Sequence, residues 1–112
     1  LEIGAKFLAD IINVGKIEIL IANGKSVVST LEKISDVKFK EREIASWKLP
    51  RRDGYVRGIS YIATLRKIGS TKLKRPVRVL GFNHNIQSSF GVTNEVKASI
   101  KTWVTRSVNT YE

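Results

Sequence analysis

Hydrophobic residues in the first third of the chain predict a helix, a strand and a second helix. Apolar positions within residues 7–12 recur with the spacing of one helical face, and Gly15 is the expected left-handed stop. The run Lys16–Ile21 is short and rich in β-branched residues, which predicts a central strand buried on both faces. Apolar residues between 27 and 34 return to helical spacing, and Asn23 is the expected N-cap of this helix.

The middle of the chain predicts a long hairpin. Residues 37–49 alternate and then change phase, which indicates a strand with a bulge near Glu43. The turn signal Pro50–Gly54 contains Asp-Gly, a pair that favours a hairpin. Residues 55–68 alternate again and are the expected returning strand.

The last third is harder to divide into elements. Residues 69–75 read as a polar, basic connector. Residues 77–82 and 96–104 predict a final pair of strands around a neutral loop, so that 70–112 forms a C-terminal strand extension. The expected fold is therefore α+β, with two helices packed on a mostly antiparallel sheet that carries a long basic hairpin. A chain of 112 residues is the length of a single domain, residues 1–112.

Charge changes this picture from a fold to a function. The chain has 20 Lys and Arg against 10 Asp and Glu, a net charge of +10. Residues 1–34 are neutral, whereas residues 35–74 contain eleven basic and four acidic residues. Because Lys and Arg release condensed counterions when they contact phosphates, this local excess favours DNA or RNA as the partner.

Several classes of protein lack support in the sequence. The absence of cysteine excludes disulfides, thiolate metal sites and a cysteine nucleophile. No phosphate-binding Gly-rich loop and no cluster of metal ligands is evident, so we expect neither a cofactor, nor a metal, nor an enzyme. No apolar run has membrane-spanning length and no signal-peptide pattern opens the chain, which favours an intracellular protein of cytoplasm, nucleoid or nucleus and no membrane partner. The first residue, Leu1, is the kind of start expected of a processed form or an excised domain.

Short motifs in residues 1–68 resemble the Alba family of small chromatin and RNA-binding proteins. Residues 1–6 are similar to the family's opening strand, Ile17–Val27 to its second strand and helix start, and Arg52–Leu65 to its hairpin tip and returning strand. Asn23 stands where the family has an arginine. The resemblance implies a dimer that uses Lys6, Lys25 and the hairpin arm to bind nucleic acid.

The candidate binding residues are the cations of this hairpin and of the connector that follows it. An exposed arginine-rich ribbon can contact phosphates or enter a minor groove. With the two residues implied by the resemblance, the candidate set is Lys6, Lys25, Lys38, Lys40, Arg42, Lys48, Arg51, Arg52, Arg57, Lys72, Lys74 and Arg75. Arg66 and Lys67 begin the connector cluster. Ordinary solvated charge is the alternative interpretation of both groups.

Aromatic residues and the single histidine add weaker signals. Trp47 and Tyr55 flank the basic turn and are the best candidates for stacking on bases, although core packing is the commoner use of such residues. Trp103 is out of phase with the strand predicted around it, which indicates an exposed or interface position. His84 has no catalytic signature around it and is expected in a loop or on the surface.

The main hypothesis is non-enzymatic nucleic-acid binding through phosphates, with low sequence specificity. The first alternative is a structural or assembly protein of a ribonucleoprotein or viral particle, whose strands pair between subunits. The second is an RNA-cleaving, toxin-like enzyme in which basic residues perform the chemistry. Exposed sheet edges also predict self-association, with a dimer as the expected state.

Overall fold

The computed structural model describes residues 2–85 and 92–109, with side chains from residue 4 onward. Within these residues the fold is α+β, with three α-helices, a short 3-10 helix and six strands. In chain order the elements are α1 (Glu2–Gly15), β1 (Ile19–Asn23), α2 (Lys25–Ser35), β2 (Lys40–Glu43), the 3-10 helix (Ala45–Trp47), β3 (Leu49–Arg51), β4 (Gly54–Val56), β5 (Ile59–Ile68), β6 (Thr71–Phe82) and α3 (Asn94–Asn109). None of the helices in this part of the chain is long and apolar enough to cross a membrane.

Four of the strands form one mixed sheet in the order β1-β6-β5-β2. Strand β1 runs parallel to β6, whereas the β6–β5 and β5–β2 pairs are antiparallel. Strands β3 and β4 form a separate two-stranded sheet, joined by Arg52-Asp53. We call β3, β4 and these two residues the tip ribbon.

Helix α1 confirms the predicted helix but differs in the face it buries. Ala5, Ala9 and Ile12 lie in the core, whereas Phe7 is 68% exposed. The left-handed residue is Lys16, with φ 55°, and not Gly15. The Ile17 amide then donates to the Ile12 carbonyl at 3.1 Å, the closing bond expected beyond a helix end.

The strand after α1 lies at an edge of the sheet, so the prediction of a doubly buried central strand was wrong. Ile21 of β1 is 47% exposed. The predicted N-cap was also wrong, because α2 starts after Gly24, with φ 103° and no side-chain cap. The Asn23 side chain instead donates to the Asn85 side-chain oxygen at 3.2 Å.

Residues 37–49 do not form one bulged strand. Strand β2 ends at Glu43, and the 3-10 helix places Trp47 in the core before β3 begins. Gly58 faces this turn, and a Cβ there would lie 2.1 Å from the Trp47 Cβ. The phase change in the sequence therefore marks a helical turn that packs against glycine.

The last third differs most from its prediction. Residues 69–75 are not a connector, because the chain turns at Gly69-Ser70 and β6 begins at Thr71. Residues 96–104 are not a strand but the centre of α3. Apolar residues at 96, 100 and 104 are spaced by four, which places them on one face of a strand and of a helix alike.

Two hydrophobic clusters lie on opposite faces of the sheet. The larger packs α1 and α2 against β5 and β6 and includes Tyr61, Leu65 and Val79. The smaller packs α3 against the 3-10 helix and the end of β6, through Trp47, Phe82 and Ile100. The sheet therefore has an α1/α2 face and an α3 face.

Candidate nucleic-acid interface

Strand β2 divides its charged side chains between the two faces of the sheet. Glu41 is opposite Tyr61, a core residue of the α1/α2 face, while Lys40 is opposite Ile62 and Arg42 is opposite Ser60. Because paired residues share a face and successive residues alternate, Glu41 and Glu43 lie on the α1/α2 face. Lys40 and Arg42 lie on the α3 face.

On the α1/α2 face the two cations beside β2, Lys25 and Arg57, have acidic partners. The Lys25 ammonium lies 3.8 Å from the Glu41 carboxylate and 4.9 Å from the centre of the Tyr61 ring. The Arg57 Nε donates to a Glu43 carboxylate oxygen at 2.9 Å, and its Nη2 lies 2.9 Å from the same oxygen. We call these two pairs the acid-paired cations.

On the α3 face the cations of β2 are joined by cations of the two central strands. Arg78 of β6 is opposite Thr64 of β5, and Arg66 lines the same cavity as both. No acidic residue of β2 or β5 lies on this face. We call Lys40, Arg42, Arg66 and Arg78 the basic face.

Helix α3 covers only the β6 side of the basic face. Arg78 is 8% exposed and donates from Nη1 to the Ser107 carbonyl of α3 at 3.0 Å. Lys40, Arg42 and Arg66 are exposed, and Ile62 between them is 40% exposed. The β2–β5 side of the sheet is therefore an open, positively charged surface beside a helix.

The predicted connector cluster is brought together by strand pairing. Lys67 is directly opposite Lys72 across the β5–β6 turn, an arrangement that is destabilising without an anion nearby. Arg75 lies 3.5 Å from Glu18, and the Lys74 backbone amide donates to the Asn13 side chain at 2.9 Å. This end of the sheet is a second concentration of positive charge.

The tip ribbon carries a third group. Arg52 is exposed in its turn, and Arg51 donates to the Pro50 carbonyl at 3.0 Å. The Lys48 ammonium lies 4.2 Å from the centre of the Tyr55 ring, which is consistent with a cation–π contact. Tyr55 is 52% exposed, so one side of this aromatic residue is accessible.

Trp47 cannot stack on a base in this structure, so that part of the predicted site was wrong. Its side chain is 0% exposed and meets Trp103 edge-on, with ring centroids 5.3 Å apart. Trp103 is half-buried and helps to hold α3 in place. His84 lies in the loop after β6, as expected, but it is buried there and not on the surface, with Nε2 2.7 Å from the Trp47 carbonyl oxygen.

The structure divides the remaining candidates. Lys6 lies on α1, on the far side of the sheet from the basic face, and Lys38 lies just before β2. Arg78 was missed by sequence reasoning. The signal that marks it is a single arginine within the apolar run 77–82, because a charge at such a position requires partners when buried.

Residues 2–85 and 92–109 contain no group of three or more His, Asp or Glu side chains that could hold a metal ion. Comparisons with protein-family models, with curated proteins and with solved structures found no match for this chain. The resemblance to the Alba family thus stays a prediction. One of its elements is wrong, because residues 2–6 begin α1 and do not form an opening strand.

Proposed function

We propose that this protein binds DNA or RNA through the phosphate backbone, without catalysis and with low sequence specificity. The observation that carries the proposal is the unequal pairing of the cations beside β2 and β5 on the two faces of the sheet. Lys25 and Arg57 are paired with glutamates, whereas Lys40, Arg42 and Arg66 are exposed on a face to which β2 and β5 contribute no acid. Such uncompensated charge attracts a polyanion over long range and contacts its phosphates at close range.

The shape of the surface supports this function. The basic face is a sheet bordered by α3, and the tip ribbon and the β5–β6 turn add cations beyond it. Principal extents of 44 × 31 × 22 Å give the molecule a long dimension that matches about 13 base pairs of duplex at ~3.4 Å each. Phosphate contacts spread over such a length hold a protein in position on nucleic acid but do not read its bases.

The test compares two double variants with equal charge loss. Lys40→Ala/Arg42→Ala removes cations of the basic face, and Lys25→Ala/Arg57→Ala removes the acid-paired cations. We expect the first variant to flatten the log–log dependence of affinity on salt by about 2, because each lost phosphate contact lowers the slope by about 1. The measurement is fluorescence anisotropy with labelled duplex DNA, duplex RNA and single strands across a salt series.

The control variant should change the slope by less than half as much. An equal change in both variants would show that only net charge matters and would contradict a defined binding face. Affinity of the unmodified protein that does not vary with salt would contradict the proposal as a whole.

A second candidate function, assembly with copies of itself, is favoured by an apolar stripe on α1. Phe7 is 68%, Ile11 44% and Val14 82% exposed, and their spacing places them on one side of the helix. Lys6 and Asp10, both exposed, lie one turn apart beside this stripe. If the two-fold axis of an antiparallel α1 pair crosses the helix near residue 8, Lys6 of each copy faces Asp10 of the other while Phe7 and Ile11 stay inside the contact, so this part of the stripe fits a second copy of the chain.

Charge reversal tests this pairing. Lys6→Glu should weaken a dimer measured by sedimentation equilibrium, and Lys6→Glu/Asp10→Lys should restore it, because the double variant recreates the opposite charges. Higher salt should strengthen the dimer, since copies of charge +10 repel each other. A monomer at all concentrations, or a double variant no better than the single one, would exclude α1 as the interface.

A further inference from the structure

A cavity of about 510 Å³ lies where β1, β5 and β6 meet the end of α3. Among the described residues, three arginines line it, Arg66 of β5 and Arg75 and Arg78 of β6, together with one acidic residue, Glu18. The volume is within the range of about 300–1,000 Å³ that holds small organic ligands. The lining is positively charged and opens on the basic face.

Folding brings these arginines together at an electrostatic cost. Residues 66, 75 and 78 come from two strands, and the Glu18 carboxylate lies 3.5 Å from the Arg75 guanidinium. Arg78 is nine-tenths buried, and its Nη1 is held by the Ser107 carbonyl, which fixes the guanidinium at the cavity wall. Arg66 is exposed and makes no hydrogen bond or ion pair with another described residue. Like charges that converge in this way favour a multivalent anion between them.

The other lining groups narrow the class of anion. Thr64 lies beside Arg66 and offers a hydroxyl, which can donate to or accept from a ligand oxygen. An apolar wall is formed by Ile19, Pro76 and Val108, so the cavity has a charged part and an apolar part. A bare inorganic ion would fill only the charged part.

We propose that this cavity binds a phosphomonoester attached to a nucleotide-sized group. Arginine forks bind the phosphate oxygens, as they do in phosphate sites generally, and the apolar wall contacts the sugar or base. Two sources share this chemistry, a free mononucleotide and the phosphorylated end of a strand. The second source rests on the proposed nucleic-acid-binding function, and the first does not.

Binding of adenosine 5′-monophosphate to the full chain, followed by isothermal titration calorimetry, tests the site directly. We expect adenosine to bind at least roughly tenfold more weakly, because charge-assisted hydrogen bonds to the phosphate are lost. Arg66→Ala should weaken the monophosphate by a similar factor, and Arg66→Lys should fall between, since it keeps the charge but loses the fork. Lys33→Ala, an equal charge loss at an exposed position of α2 away from the cavity, should leave affinity within about twofold.

Equal binding of the nucleoside and the monophosphate would overturn the proposal, as would equal losses for the Lys33 and Arg66 variants. Arg66 is on the surface, so Arg66→Ala should leave the thermal unfolding midpoint unchanged. If that midpoint falls by a large amount, the Arg66→Lys variant replaces Arg66→Ala in the comparison. That variant must then bind the monophosphate more weakly than the unmodified protein, or the proposal fails.

Short strands with and without a 5′-phosphate identify the source of the ligand. Tighter binding of the phosphorylated strand, lost in Arg66→Ala, supports a strand end. Equal binding of both strands, with a monophosphate effect that depends on Arg66, supports a free mononucleotide. Salt-dependent binding of strands, with no preference for adenosine 5′-monophosphate over adenosine, would overturn the cavity proposal and leave the proposed function standing. Binding of the monophosphate that depends on Arg66, without salt-dependent binding of strands, would overturn the proposed function and leave the cavity proposal standing.

Discussion

The two faces of the sheet use the same kinds of residue in different ways. On the α1/α2 face, Lys25 and Arg57 each contact a glutamate of β2. On the α3 face, Lys40 and Arg42 alternate with those same glutamates along β2 but point to the opposite side. A strand of alternating charge, neutral when summed, thus gives one face with paired charges and one with unpaired positive charge.

This difference shows why composition alone locates a binding surface poorly. Net charge of the segment 35–74 is shared by residues that the fold separates onto two surfaces. Exposed ion pairs contribute about 0–1 kcal/mol to stability, so the glutamates act here mainly by neutralising nearby cations. The surface available to a polyanion is therefore smaller and more sharply bounded than the sequence indicates.

The largest expected effect is on stability, and it distinguishes the buried aromatic residue Trp47 from the exposed Tyr55. Trp47→Ala should lower the free energy of unfolding by about 3–5 kcal/mol, because it empties the centre of the α3 cluster. Tyr55→Ala should leave stability within about 0.5 kcal/mol but weaken binding of single strands if bases stack on this ring. Chemical denaturation and anisotropy measure the two quantities.

One outcome would contradict stacking on Tyr55. Loss of single-strand affinity by folded Trp47→Ala, with none by Tyr55→Ala, would mean that the α3 cluster opens to admit bases. The basic face would then extend under α3.

A smaller effect is expected from the two groups of cations beyond the basic face, those of the tip ribbon and those of the β5–β6 turn. Arg51→Ala/Arg52→Ala in the tip ribbon should weaken binding more than Lys72→Ala/Lys74→Ala at the β5–β6 turn, because all four side chains are exposed but only the arginines can bind a phosphate through two parallel hydrogen bonds. The expected change in salt slope is about 2 for the tip pair, with similar losses for unrelated sequences. Salt titrations of both double variants measure it.

If the turn pair weakens binding more, the binding arm is not the tip ribbon. The direct opposition of Lys67 and Lys72 makes that outcome informative, since it would identify the like-charge end of the sheet as the principal phosphate contact.

The smallest expected effect comes from removing the acids. Glu41→Gln/Glu43→Gln releases Lys25 and Arg57 without adding a cation, and should raise affinity at low salt by about two- to threefold through net charge. The same anisotropy titration measures it, and the increase should disappear at high salt. A gain larger than the loss in Lys40→Ala/Arg42→Ala would show that the α1/α2 face is the better binding surface and would reverse the comparison.

Local signals in the sequence were sufficient for part of the local structure. Helical spacing placed α1 and α2, and the Asp-Gly pair placed the turn of the tip ribbon, because each depends on residues close together in the chain. The concentration of basic residues in 35–74 likewise follows from composition. The prediction of a strand at residues 96–104 was wrong because apolar residues spaced by four fit both a helix and one face of a strand.

Tertiary structure decided which residues meet. Strand order made β1 an edge strand although its composition is that of a buried one, and register assigned the acids and cations of β2 to opposite faces. The cavity joins residues 18, 66, 75 and 78, which no local pattern connects. Periodicity is a property of neighbouring residues, whereas pairing, register and the convergence of arginines depend on how distant segments pack, so they had to await the folded chain.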